Sequence, residues 1–75
     1  MKEILVFIAK SLVDNPDAVT VTEEQKDDTL VLKLQVAQSD MGKVIGKSGR
    51  IAKAIRQVIN AAAARDKIKV IVDIG

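Results

Sequence analysis

Residues 29 to 36 read TLVLKLQV, and no stretch constrains the fold more tightly. Leu30, Leu32, Leu34 and Val36 alternate with Val31, Lys33 and Gln35, the period of two that sorts side chains onto opposite faces of a strand. Residues 18 to 24, AVTVTEE, repeat the pattern more weakly, with Val19 and Val21 against Thr20 and Thr22. The polar turn Gln25 to Asp28 joins the two as a hairpin. Residues 68 to 74 alternate Ile68, Val70, Val72 and Ile74 with Lys69, Ile71 and Asp73, a third strand. The strand at 29 to 36 is the most apolar and belongs in the centre, antiparallel to the first strand and parallel to the third.

The remaining segments read as helices. Residues 2 to 14 carry Ile4, Leu5, Ile8, Leu12 and Val13 on one stripe with Phe7 beside it, and Asn15-Pro16 ends the run because a residue before proline is pushed out of the helical region. Gln38-Ser39-Asp40 offers N-cap chemistry for a short helical turn over 40 to 45. From Arg50 to Arg65, Ile51, Ile55, Val58, Ile59 and Ala62 form an apolar stripe, with Lys53, Arg56, Gln57 and Asn60 opposite. The predicted order is αββααβ: an α+β fold, one domain over residues 1–75, with a three-stranded mixed sheet and three helices packed on one face. A chain of this length buries only about 60% of its unfolded surface.

Composition removes several function classes. There is no cysteine and no histidine, so thiolate chemistry and the usual general base and zinc ligands are missing, and no enzyme, metal site or cofactor is expected. Phe7 is the sole aromatic, which rules out a stacking platform of the RRM or OB type. Apolar runs are short and broken by charges, so no membrane span is expected, and Glu3 and Lys10 argue against reading the start as a signal peptide. Charge is unevenly spread. Residues 1 to 40 hold four basic and eight acidic side chains, whereas residues 41 to 65 hold six basic ones (Lys43, Lys47, Arg50, Lys53, Arg56, Arg65) and no acid. Such a segment is a candidate polyanion-binding face.

Inside it lies GKVIGKSGR, residues 42 to 50, with three of the four glycines. A Walker loop needs four residues between its first glycine and Gly-Lys-Ser; here only Lys43, Val44 and Ile45 intervene, and a helix-prone segment precedes instead of a buried strand. A dinucleotide fingerprint fails because the residue two before Gly46 is Val44. A helix-turn-helix DNA reader would need base-reading polar groups that the start of this helix largely lacks. What remains is G-x-x-G, Gly46-Lys47-Ser48-Gly49, joining two helices. Two glycines let a phosphate backbone pass close, the amides at the start of the next helix point at an anion, Lys47 adds a positive charge and Ser48 a hydroxyl.

VIGKSG followed by RIAKAI resembles the signature of KH RNA-binding domains, and the αββααβ order resembles the type II KH fold. Across its whole length the chain is similar to the small single-domain bacterial KH proteins of the KhpA type. The resemblance implies a cytoplasmic protein that binds single-stranded RNA with little sequence specificity, as an RNA chaperone or post-transcriptional regulator. It further implies a homodimer, or a pairing with a larger KH-containing protein of the Jag type. It places about four nucleotides over Gly46, Lys47, Ser48 and Gly49. Val44 and Ile45 would line the base groove, and Lys43, Lys47, Arg50 and Lys53, with Arg56 further along the helix, would supply the salt-sensitive attraction. One position departs from the family: three residues after the second loop glycine, where isoleucine is common, stands Ala52. Two other readings use the same helix-loop-helix: a single-stranded DNA binder, and an assembly module whose interface is Ala61 to Ala64.

Overall fold

The computed structural model describes residues 1–74; Gly75, the last residue of the expected domain, lies outside the described residues. In chain order the elements are α1 (Lys2–Leu12), β1 (Thr20–Lys26), β2 (Thr29–Gln35), α2 (Met41–Ile45), α3 (Arg50–Arg65) and β3 (Lys69–Ile74). Single 3₁₀ turns at Pro16–Ala18, Gln38–Asp40 and Lys47–Gly49 link them. The sheet order is β1-β2-β3, with β1 antiparallel and β2 parallel to its neighbour β3. The apolar strand is therefore the central one, as its alternation requires.

Register assigns the faces. Val21 pairs with Leu34, Leu30 with Val70 and Leu32 with Val72, so these side chains share one face. All three helices cover that face: Leu5 and Ala9 of α1, Val44 of α2, and Ile55, Ile59 and Ala63 of α3 complete a single buried cluster with Val21, Leu32, Leu34, Val70 and Val72. Leu32 and Leu34, in the middle strand beneath the helices, are fully buried; each such side chain contributes about 1.5–3 kcal/mol by leaving water. The opposite face is mixed: Lys33 sits between Thr22 and Asp73, whereas Val31 sits between Glu24 and the exposed Ile71. Among the described residues no helix is long and apolar enough to cross a membrane.

Several boundaries and faces differ from the sequence reading. Helix α1 stops at Leu12, not at residue 14, because Val13 is already extended (φ −98°, ψ 158°) and the next two amides are bound from elsewhere. Strand β1 begins at Thr20 instead of residue 18 and continues to Lys26, since Gln25 and Lys26 find backbone partners in Leu30 and Thr29. Cross-strand pairing thus extends the strand through residues whose polarity suggested a turn, leaving Asp27 and Asp28 as the whole connection. Asp27 takes φ 52°, a left-handed value that aspartate tolerates better than most residues. On α3 the buried row is Ala52, Ile55, Ile59 and Ala63, whereas Val58, expected in the stripe, is 50% exposed. The apolar stripe is wider than the surface available to cover it, and packing against β3 selects which edge is buried.

Helix α3 ends in a Schellman motif. The Ile68 amide donates to the Ala63 carbonyl (3.0 Å) and the Lys67 amide to the Ala64 carbonyl (3.2 Å), with Lys67 at φ 58°. Glycine usually holds that left-handed position.

Candidate nucleic-acid interface

Helix α2 has one full turn, closed when the Gly46 amide donates to the Gly42 carbonyl at 2.9 Å. The chain then changes direction over four residues. Gly46 lies at φ 76°, ψ 175°; Ser48 at φ 57°, ψ 26°; Gly49 at φ 75°, ψ 14°. Three of the four residues of Gly46-Lys47-Ser48-Gly49 thus have positive φ. The Gly46 conformation is essentially restricted to glycine. It is also closed to a side chain: a Cβ there would stand 2.5 Å from Cγ1 of Ile51. At Gly49 a Cβ would meet nothing within 4 Å, so only its left-handed backbone favours glycine.

This settles what packs beneath the loop. Ala52, at the position where related domains often carry isoleucine, is buried in the core. The neighbouring Ile51 folds back over the first loop glycine instead. The loop backbone is thereby held against a hydrocarbon support while Lys47 and Ser48 stay exposed at its tip.

The expected site residues separate into groups. Lys47, Ser48, Arg50 and Lys53 are exposed around the turn and on the first turn of α3, with Gly46 and Gly49 half-buried between them. Lys47, Arg50 and Lys53 form no ion pair among the described residues, leaving three cations free for an external anion. Lys43 differs. Its ammonium pairs with the Asp14 carboxylate and lies 3.5 Å from Oδ1 of Asp40. The hydrogen bond that Lys43 donates to Asp14 foremost, with the charges of Asp14 and Asp40, holds Lys43 above its ordinary range; desolvation opposes this. The pair Val44-Ile45 also divides. Val44 is 0% exposed and belongs to the core, so the groove-lining role expected of it is corrected: its side chain has no surface to offer. Ile45, at 36% exposure, keeps such a surface.

Two features escaped the sequence reading. Asp40 does not cap α2 with its side chain. Its carboxylate accepts the amides of Asp14 (3.2 Å) and Asn15 (3.1 Å), 25 and 26 residues upstream, and is buried with 1% exposure. Its position ahead of a helix suggested local capping, and nothing in the pattern pointed to so distant a partner. Arg56, one of the basic residues of the cationic segment, donates from Nε to the Val72 carbonyl at 3.2 Å and ties α3 to β3.

Comparison with known proteins agrees with this geometry. The family model described as KhpA/KhpB, KH domain matches residues 2–74. The chain belongs to the KhpA/KhpB KH-domain family. It is 58% identical over 74 residues to RNA-binding protein KhpA of Clostridium acetobutylicum, covering 99% of both chains. Identity to RNA-binding protein KhpA of Clostridium perfringens is 55%, again over 99% of each, and to that of Chlamydia trachomatis serovar D 47%, over 99% of this chain and 95% of the relative. The α+β architecture is the type II KH fold. Its likeness extends to Aquifex aeolicus Era bound to GDP·AlF4⁻ (TM-score 0.62, 20% identity) and to Era in complex with MgGDPNP and nucleotides 1506–1542 of 16S ribosomal RNA (TM-score 0.64, 20% identity). These likenesses cover 97% of this chain but only 28% of each Era chain, and at 20% identity they concern the fold.

Proposed function

We propose that this KhpA-family domain, residues 1–75, binds single-stranded RNA and carries out no catalysis. The relatives bearing the name RNA-binding protein KhpA support the RNA class. The observation that carries the site is the turn Gly46 to Gly49, with positive φ at three of four residues and unpaired Lys47, Arg50 and Lys53 around it. About four nucleotides run their backbone over this turn, as in the G-x-x-G clamp. The loop conformation removes side-chain bulk where phosphates approach. The amides of Gly49 and Arg50 already donate to the carbonyls of Gly46 and Lys47, so the side chains of Lys47, Ser48, Arg50 and Lys53 make the phosphate contacts. Ile45 offers aliphatic contact to a base. Backbone and electrostatic contacts dominate, so sequence specificity is low, consistent with a cytoplasmic RNA chaperone or post-transcriptional regulator.

Three cations that neutralise phosphates and release the strand's condensed counterions give a log–log salt slope of about −2, so affinity falls roughly 20-fold between about 50 and 200 mM salt. The test replaces Lys47 and Ser48 together with Asp. The fold, followed by circular dichroism, stays intact, and affinity for a single-stranded oligoribonucleotide drops at least tenfold; unchanged affinity refutes the clamp. The matching deoxyoligonucleotide in parallel tests the alternative of a single-stranded DNA binder.

A second reading concerns assembly. Ile4, Phe7 and Leu12 of α1 and Val58 of α3 are exposed, Phe7 at 73%, and Ile8, Leu12, Ala54 and Val58 line one apolar groove between the two helices. This face suits a second copy of the chain or a larger Jag-like KH protein. The alanine run lies outside this groove: Ala63 is buried in the domain's own core, and Ala62 lines a separate depression with Met1 and Ile4. Pairing two small sites raises apparent affinity through effective concentration.

A further inference from the structure

Helix α2 delivers the chain to Gly46 yet spans only Met41–Ile45. A helix so short has no stability of its own, so its direction is imposed by its attachments. On the inner side Val44 is locked in the core. At the N-terminal end the attachment is the Asp40 carboxylate, the one buried charged side chain among the described residues. Oδ1 accepts the Asp14 amide and Oδ2 the Asn15 amide, and the Lys43 ammonium stands 3.5 Å from Oδ1 while pairing with Asp14. Burying a carboxylate is costly unless it is fully partnered. Here each oxygen has a backbone donor and a cation stands beside them, and no buried side-chain polar atom is left without a partner among the described residues. The arrangement fastens the first turn of α2 to the connector after α1 through three links at once.

We propose that Asp40, with Lys43 as its partner, is a positioning residue for the RNA-binding turn: it sets the angle at which α2 presents Gly46 to Gly49, and Lys43 serves this strap instead of contacting phosphate. The inference rests on the RNA-binding reading above. It separates two kinds of lysine. Lys47, unpaired at the tip, contributes to the salt dependence of binding. Lys43, already neutralised by two carboxylates, contributes to affinity through geometry alone.

The test compares Asp40→Asn, Lys43→Gln and Lys47→Gln in the full chain. Affinity for a single-stranded oligoribonucleotide is measured across a salt series, well below each variant's unfolding midpoint. Lys47→Gln should lower the salt slope by about 0.7. Lys43→Gln and Asp40→Asn should weaken binding, Asp40→Asn by about tenfold from displacement of the site, with the slope unchanged. Amide exchange without RNA should quicken at Gly46 to Gly49 in Asp40→Asn and stay at the wild-type rate in Lys47→Gln. A slope lowered by Lys43→Gln makes Lys43 a phosphate contact and overturns the proposal. So does wild-type affinity or unaltered loop exchange in Asp40→Asn. If the wild type binds no RNA, the RNA reading fails, while the exchange data still decide whether Asp40 governs the turn. Should Asp40→Asn not fold, Lys43→Gln, altering an exposed pair, decides by its slope and loop exchange.

Discussion

Replacing Gly46 by alanine should be among the most damaging single-methyl changes available in this chain, and the two loop glycines should differ. Two costs combine at Gly46. Its backbone, φ 76° and ψ 175°, is closed to residues with a Cβ, a strain of about 1–3 kcal/mol. The added carbon would also lie 2.5 Å from Ile51 Cγ1 and 2.9 Å from Ile51 Cβ and Cδ1, and overpacking of this kind costs about 1–3 kcal/mol more. A domain of this size holds about 4–11 kcal/mol in total, so the substitution removes a large part of it. At Gly49, with open space around the position, only the left-handed penalty of about 1–2 kcal/mol applies. The chain lacks tryptophan and tyrosine, so urea unfolding is followed by far-ultraviolet circular dichroism. The mechanism also predicts a coupling. Ile51→Ala removes the two outer atoms of the clash, so Gly46→Ala with Ile51→Ala should cost about 1 kcal/mol less than the sum of the single changes. Gly49→Ala with Ile51→Ala should be additive. Equal losses for the two glycines, together with additivity of Gly46→Ala and Ile51→Ala, would refute the steric account.

Two further outcomes follow from other parts of the fold. Lys67 occupies the left-handed position of the Schellman motif at φ 58°, so Lys67→Gly should stabilise the domain by about 1 kcal/mol, visible as a rise in melting temperature of about 4–8 °C. Val58→Asp puts a charge in the apolar groove at a half-exposed position, so it should leave the monomer folded and, under the assembly reading proposed above, prevent two copies from pairing in sedimentation. A dimer that survives this change is held elsewhere.

The legible part of this protein was what repeats locally or depends on glycine. The alternation at residues 29 to 36 placed β2 at the centre, and it lies there. The Gly46 to Gly49 turn was readable because two glycines three apart between helix-forming segments have few other uses. The less legible part was which side of an apolar segment meets the core. Val44 and Ile45 are neighbours of similar character, and one is buried while the other keeps a surface. Ile51 and Ala52 exchange their expected importance for the same reason: a rotation of α3 by part of a turn decides which residue reaches the loop.

By itself, the order of residues determined the element sequence, the two-faced strands and a turn that only glycine can make, because periodicity and backbone sterics act within a few residues. The tertiary structure decided the rest of the site. It placed Asp40 on amides 25 and 26 residues upstream, drew Lys43 to Asp14, and laid Ile51 over Gly46. Those choices depend on which distant segments arrive beside a side chain, and on the need of a buried charge for partners wherever they lie.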